Sequence, residues 1–135
     1  MENLATTNFI LIDDDVLNNM VCRKVIRNMV PQAQIQAFTD PEKGVEHMQL
    51  SVMSPTGGNT VLFLDINMPS LTGWDVLEKF HAFEKAFDKR VKVYMLSSSI
   101  NPVDKERAAR NKLVTGYISK PLSGNILHTI IPGLA

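Results

Sequence analysis

The chain has 135 residues, 44% of them hydrophobic, and its 14 Lys+Arg balance 14 Asp+Glu. That length suits one domain with a single core, that composition excludes disorder, and zero formal charge removes the electrostatic case for non-specific nucleic-acid binding. The lone cysteine, Cys22, excludes an intrachain disulfide and a CxxC redox pair. It reads as a buried, inert thiol. No apolar run approaches the roughly 20 residues of a membrane span. Met1-Glu2-Asn3-Leu4-Ala5 lacks the basic start of a signal peptide. These features together predict a cytoplasmic protein with no membrane association.

Phe9-Ile10-Leu11-Ile12 reads as a strand buried on both faces, and it runs into Asp13-Asp14-Asp15. From Val16 to Val30 polar pairs (Asn18-Asn19, Arg23-Lys24, Arg27-Asn28) recur at a helical rhythm, with apolar residues expected on the other face. Pro31 ends that helix. Ile35-Gln36-Ala37-Phe38 alternates, which predicts a half-exposed strand near an edge. Asp40-Pro41 is a cap followed by a first helical residue, and Val45, Met48 and Val52 are the expected buried stripe. Residues 54–59 form a loop. Val61-Leu62-Phe63-Leu64 is the central strand; it stops at Asp65, and Ile66-Asn67-Met68-Pro69 follows.

Thr72 with Asp75 three residues on is a capping box. Val76, Phe80, Phe83 and Phe87 mark one face of the next helix, a spacing that core packing alone requires. Val91 to Leu96 is the fourth strand, running into Ser97-Ser98-Ser99. Asn101-Pro102 opens an unusually polar helix, read either as a solvated face or as a loosely held element that can shift. Thr115 to Ser119 is the fifth strand, followed by Lys120-Pro121. Ser123 caps a last helix, Leu122 and Leu127 staple it, and Pro132-Gly133 ends it. Five strands alternating with helices predict an α/β protein, a doubly wound parallel sheet with right-handed crossovers.

The reactive residue types fall at equivalent positions. Strand one ends in acids, strand three in Asp65, strand four in hydroxyls and strand five in Lys120. All lie at the carboxyl edge, where a doubly wound sheet forms its crevice. Asp13, Asp14 and Asp65 brought together would repel one another, and a hard divalent cation such as Mg²⁺ relieves that with oxygen ligands. Asp65 is then placed to accept a phosphoryl group as a nucleophile, with Lys120 and Ser97 on phosphate oxygens. Asp15 reads as a helix cap.

The chain resembles the receiver domain of two-component response regulators over essentially its full length. The matching pieces are Phe9 to Asp15, Leu64 to Pro69, Gly73, Met95-Leu96-Ser97 and Tyr117-Ile118-Ser119-Lys120-Pro121. The resemblance implies a flavodoxin-like (βα)5 fold of strand order 2-1-3-4-5. It implies a phosphorylation-dependent switch rather than an enzyme, with Asp65 as phosphoacceptor. It makes Asp14 a direct Mg²⁺ ligand, Asp13 a ligand through water, and Asn67 a backbone-carbonyl ligand. Ser97 becomes the switch hydroxyl, Tyr117 the aromatic switch, and the fourth helix, fifth strand and fifth helix the output face. Ser98 departs from the family's usual Ala or Gly, and Asn67, Ser98 and Ser99 fall where side chains tune attack by water. A stand-alone receiver spanning 1–135 is expected.

His47, His81 and His128 are scattered, and no two share metal-ligand spacing. The phosphodonor is therefore expected from a partner, a sensor histidine kinase or a histidine phosphotransfer protein. A rival reading is a haloacid dehalogenase-like phosphatase with Asp13 as nucleophile. That class needs acids downstream of its lysine, and residues 121–135 contain none. A flavodoxin-like binder would need a phosphate loop where three acids stand. A receiver-shaped interaction domain that is never phosphorylated is the third alternative.

Overall fold

The computed structural model describes residues 7–54, 58–87, 90–98 and 101–130. The expected start at Met1–Ala5, part of the loop after the second helix, Ser99, and the Pro132-Gly133 terminator lie outside the described residues. The elements are β1 (Asn8–Ile12), α1 (Val16–Met29), β2 (Gln34–Phe38), α2 (Pro41–Met53), β3 (Thr60–Asp65), α3 (Gly73–Phe80), a 3-10 helix (His81–Ala86), β4 (Val91–Ser97), α4 (Pro102–Arg110), β5 (Gly116–Ser119) and α5 (Gly124–Ile130). The strands form one parallel sheet in the order β2-β1-β3-β4-β5. This is the flavodoxin-like arrangement anticipated above.

Alternation along the strand, with both faces covered, explains the apolar runs of the inner strands β1, β3 and β4. Ile10, Ile12, Leu62, Leu64, Val93 and Met95 face α2, α3 and the 3-10 helix. Phe9, Leu11, Val61, Phe63, Tyr94 and Leu96 face α1 and α5. These inner-strand residues thus divide between two cores, and the sheet separates them.

Helix ends follow the sequence closely. Asp40 accepts from the Glu42 amide, with Pro41 at the first helical position. Thr72 and Asp75 make a reciprocal capping box at 3.1 and 2.9 Å. Hydrogen bonds from Thr72 hold the Asp75 carboxyl below its usual range. Asn101 accepts from the Val103 amide and Ser123 from the Ile126 amide. Leu122 and Leu127 are both buried, in one cluster.

Two expectations are corrected. The polar pair Asn18-Asn19 does not face solvent: Asn19 is buried and Asn18 half-buried, whereas Leu17 is 71% and Met20 60% exposed, alongside exposed Val16 and Val21. Asn19 Nδ2 donates to the Asp13 carbonyl at 2.9 Å, and meeting that oxygen beyond the end of β1 turns α1 this way round. The second correction is the aromatic helix, which breaks. α3 ends at Phe80 and a 3-10 helix follows, with Phe83 at φ −137° and ψ 25°. The break lets Phe83 and Phe87 both fold back on Phe80, with ring centroids 5.3–5.8 Å apart. The Arg90 guanidinium then ties this segment to α2 by donating to the Val52 and Ala86 carbonyls at 2.6 and 3.2 Å. His47 is half-buried, 5.1 Å from the Phe38 ring.

Gly73 and Gly124 make opposite predictions. A Cβ on Gly73 would lie 2.7 Å from the Asp65 carbonyl oxygen and 3.0 Å from Ile66 Cα, so backbone would have to move at the end of β3. On Gly124 it would meet nothing closer than Met29 Sδ at 3.8 Å. In urea denaturation, Gly73→Ala is expected to lose roughly 1–3 kcal/mol. Gly124→Ala is expected to be neutral or to gain up to about 1 kcal/mol.

Candidate functional site

Backbone hydrogen bonds carry the parallel register just past the strand ends. Asp13 N bonds Phe38 O at 3.1 Å, Ile66 N bonds Leu96 O at 3.1 Å, and Lys120 N bonds Ser97 O at 2.8 Å. Four chain-distant segments are thereby aligned at one edge. Asp65 is in register with Leu96, and Ser97 with Ser119.

The side chains meet there. Carboxylate oxygens of Asp13, Asp14 and Asp65 lie within 4.8 Å of one another. Asp13 and Asp65 are buried, and Asp14 is exposed. Lys120 Nζ reaches both buried acids, at 2.9 Å to Asp13 Oδ2 and 3.2 Å to Asp65 Oδ1. The Lys120–Pro121 peptide is cis.

The Asp65 carboxyl is perturbed by its surroundings. Burial and then the neighbouring Asp13 charge push its pKa up to about 6, against the opposing pull of Lys120 and of the Asn67 amide that bonds it. For Lys120, burial disfavours the charge, but hydrogen bonds and charge from Asp13 and Asp65 outweigh it and hold the pKa above the usual lysine value. The set suits a hard cation in donor chemistry: three carboxylates converge on one point, and an ammonium now offsets part of their charge.

The remaining predicted residues fall as follows. Ser97 is fully buried at the end of β4. Ser98 is exposed just beyond it, and Asn67 is exposed two residues past Asp65. Tyr117 is half-buried on β5, in register with Met95. It lines two clefts, of about 380 and 340 Å³, and Lys105 lines both as well.

Three comparisons bear on this geometry. The family model "Response regulator receiver domain" matches residues 9–132. The chain belongs to the response regulator receiver domain family. Receivers are signalling phosphoacceptors rather than enzymes. Among solved structures, the two-component response regulator from Cytophaga hutchinsonii is 28% identical, with a TM-score of 0.83 and 92% of each chain covered. Stress response regulator protein 1 of Scheffersomyces stipitis is 32% identical over 74 residues, 55% of this chain and 24% of that protein. Its namesake in Debaryomyces hansenii is 26% identical over 131 residues, 95% of this chain and 49% of that protein. The chain thus spans between a quarter and a half of these curated relatives. Among the described residues of this receiver, no helix is long and apolar enough to cross a membrane.

Sequence reasoning passed over Asn18 and Asn19. Asn18 Nδ2 lies 2.7 Å from Asp13 Oδ2, and a carboxylate only accepts, so the amide must present its nitrogen. Asn19 Oδ1 is buried and accepts no hydrogen bond among the described residues. A signal existed: helical side chains lean toward the N-terminus, so residues one turn into α1 point back at the end of β1.

Two predictions concern the metal-free protein. The Asp65 carboxyl titrates near 3.8 when unfolded and near 6 when folded. Between those values the folded state holds more protons, so this group's effect on stability worsens as pH rises and is fully unfavourable above about 6. With EDTA present, Asp65→Asn is expected to melt several degrees above wild type at pH 7.5, and the gap should close toward pH 4. The second concerns Cys22, whose thiol burial first, and Asp13 next, push to about 11. Iodoacetamide at pH 8 should leave it unmodified in the native protein and alkylate it in urea, as read by mass.

Proposed function

We propose that this receiver is a phosphorylation-dependent switch in which Asp65 takes a phosphoryl group from a partner's phosphohistidine. The observation that carries the reading is the Lys120 ammonium held between Asp13 and Asp65 beside a third carboxylate. At neutral pH Asp65 is above its pKa of about 6 and ionised, as a nucleophile must be. One of its oxygens attacks phosphorus, the phosphorus–nitrogen bond to the donor imidazole breaks, and the electron pair leaves with the imidazole. The product is an aspartyl phosphate.

Asp13, Asp14, Asp65 and the Asn67 carbonyl would hold Mg²⁺, which when bound supplies neutralising charge to the transferring group. Lys120 moves from the carboxylates to a phosphoryl oxygen, and the Ser97 hydroxyl donates to another. Asn67 and Ser98, exposed at the rim, and Ser99 set how readily water reaches the product.

The donor is a protein, a sensor histidine kinase or a histidine phosphotransfer protein. The exposed apolar side chains Val16, Leu17, Met20 and Val21 on α1, directly after the acidic run, support this. The output face is α4, β5 and α5. Ala108 is the one buried residue of α4, and Arg107 packs over Trp74 at 4.5 Å. Tyr117 lines two clefts, and they would give its ring room to rearrange as Ser97 moves. The two states then differ in their contacts with a partner, as any switch requires.

Asp13 as a phosphatase nucleophile is disfavoured by its surroundings. Its carboxylate already accepts from the Asp15 amide, Asn18 and Lys120.

Intact-mass measurement after Mg²⁺ and acetyl phosphate tests the reading. Wild type should gain one acid-labile phosphoryl group and Asp65→Asn none. Labelling that survives Asp65→Asn and disappears in Asp13→Asn would replace this reading with the phosphatase one.

A further inference from the structure

Asp13 is gripped at both ends by two consecutive residues of α1. Asn18 donates to its side-chain Oδ2 at 2.7 Å, and Asn19 donates to its backbone carbonyl at 2.9 Å. Oδ2 has a second donor, Lys120 at 2.9 Å, while Oδ1 accepts from the Asp15 amide at 2.8 Å. The two donors on Oδ2 differ in kind. Lys120 is a point charge on a flexible stem, and it also reaches Asp65. A competing anion can draw it away. Asn18 is a short amide fixed to a helix whose cap, Asp15, accepts from the Leu17 and Asn18 amides at 2.9 and 3.3 Å. Its Nδ2 also lies 3.7 Å from Cys22 Sγ.

We propose that Asn18 is a positioning residue: it holds the Asp13 carboxylate in the orientation that Mg²⁺ requires, whether or not Lys120 stays on that oxygen. This rests on the cation reading above. Hydrogen bonds of this type orient the carboxylates of a metal site, whether they meet the ion directly or through its water, and loss of such supporting bonds typically weakens metal binding by about 10–100-fold. Mg²⁺ demands near-ideal octahedral geometry, whereas Ca²⁺ tolerates irregular oxygen sets. A fault in orientation should therefore weaken Mg²⁺ more than Ca²⁺. A general loss of structure or charge should weaken both alike.

Isothermal titration with MgCl₂ and separately with CaCl₂ tests this on wild type, Asn18→Leu, Asn18→Ala and Cys22→Ala. Melting in EDTA reports folding for each variant. Asn18→Leu, which keeps volume and removes the donor, is expected to lower Mg²⁺ affinity about tenfold and Ca²⁺ affinity by a smaller factor. Asn18→Ala should repeat the pattern should the leucine variant misfold. Cys22→Ala should leave both affinities unchanged, because Asn18 still reaches Asp13. Equal losses for the two ions, or an unchanged Mg²⁺ affinity in the Asn18 variants, would overturn the proposal while leaving the switch intact. A wild type that binds no Mg²⁺ would overturn both.

Discussion

Like charge held close together governs this molecule. Two unit charges about 4 Å apart cost roughly 4 kcal/mol at an effective dielectric of about 20. The chain brings three carboxylates within 4.8 Å of one another and buries two of them. Lys120 offsets part of that by reaching both buried acids at once. The compensation is incomplete, as the raised Asp65 pKa records. A site with unrelieved negative charge has a standing preference for a cation. Its ammonium spans both buried acids, and the proposed transfer would reassign it to the incoming group.

The sheet makes such a concentration possible. Parallel strands end at the same edge, and each crossover returns the chain to the opposite edge before the next strand begins. Residues 13, 65, 97 and 120 therefore become neighbours through backbone register alone. The two cores hold that register firmly, since strand side chains pack alternately to either side. Gly73 matters for the same reason: α3 starts so close to the Asp65 carbonyl that a methyl group does not fit.

Away from the edge the packing is uneven, and the unevenness suits a switch. α4 buries little and leans on the Arg107–Trp74 contact, and Tyr117 beside it lines two clefts. Elements with few buried contacts are those that shift at low cost. α1 is different: it is anchored through Asn19, Cys22 and Ile26 while presenting apolar side chains outward near the acids. Under the proposed function the firm helix with an apolar exterior would meet the donor, and the loosely packed one would carry the change.

Much of this was legible in the residues. The acids that end the first and third strands, the Asp40-Pro41 and Thr72/Asp75 helix starts and the alternation of β2 are local properties. They depend on neighbours a few positions away, and the chain carried them into the structure unchanged. The rotation of α1 and the break after Phe80 were not legible. A helix whose apolar residues fall on two faces has two plausible buried sides, and the choice turned on an Asn19 hydrogen bond to a carbonyl six residues upstream. The break turned on three rings packing against one another, not on helix periodicity. By itself the sequence determined which chemical groups stand at the strand ends, because strand length and polarity are written locally. Tertiary structure decided which of those groups touch, so that Lys120 spans Asp13 and Asp65 and Asn18 holds the first of them. Those distances arise where separately formed segments meet.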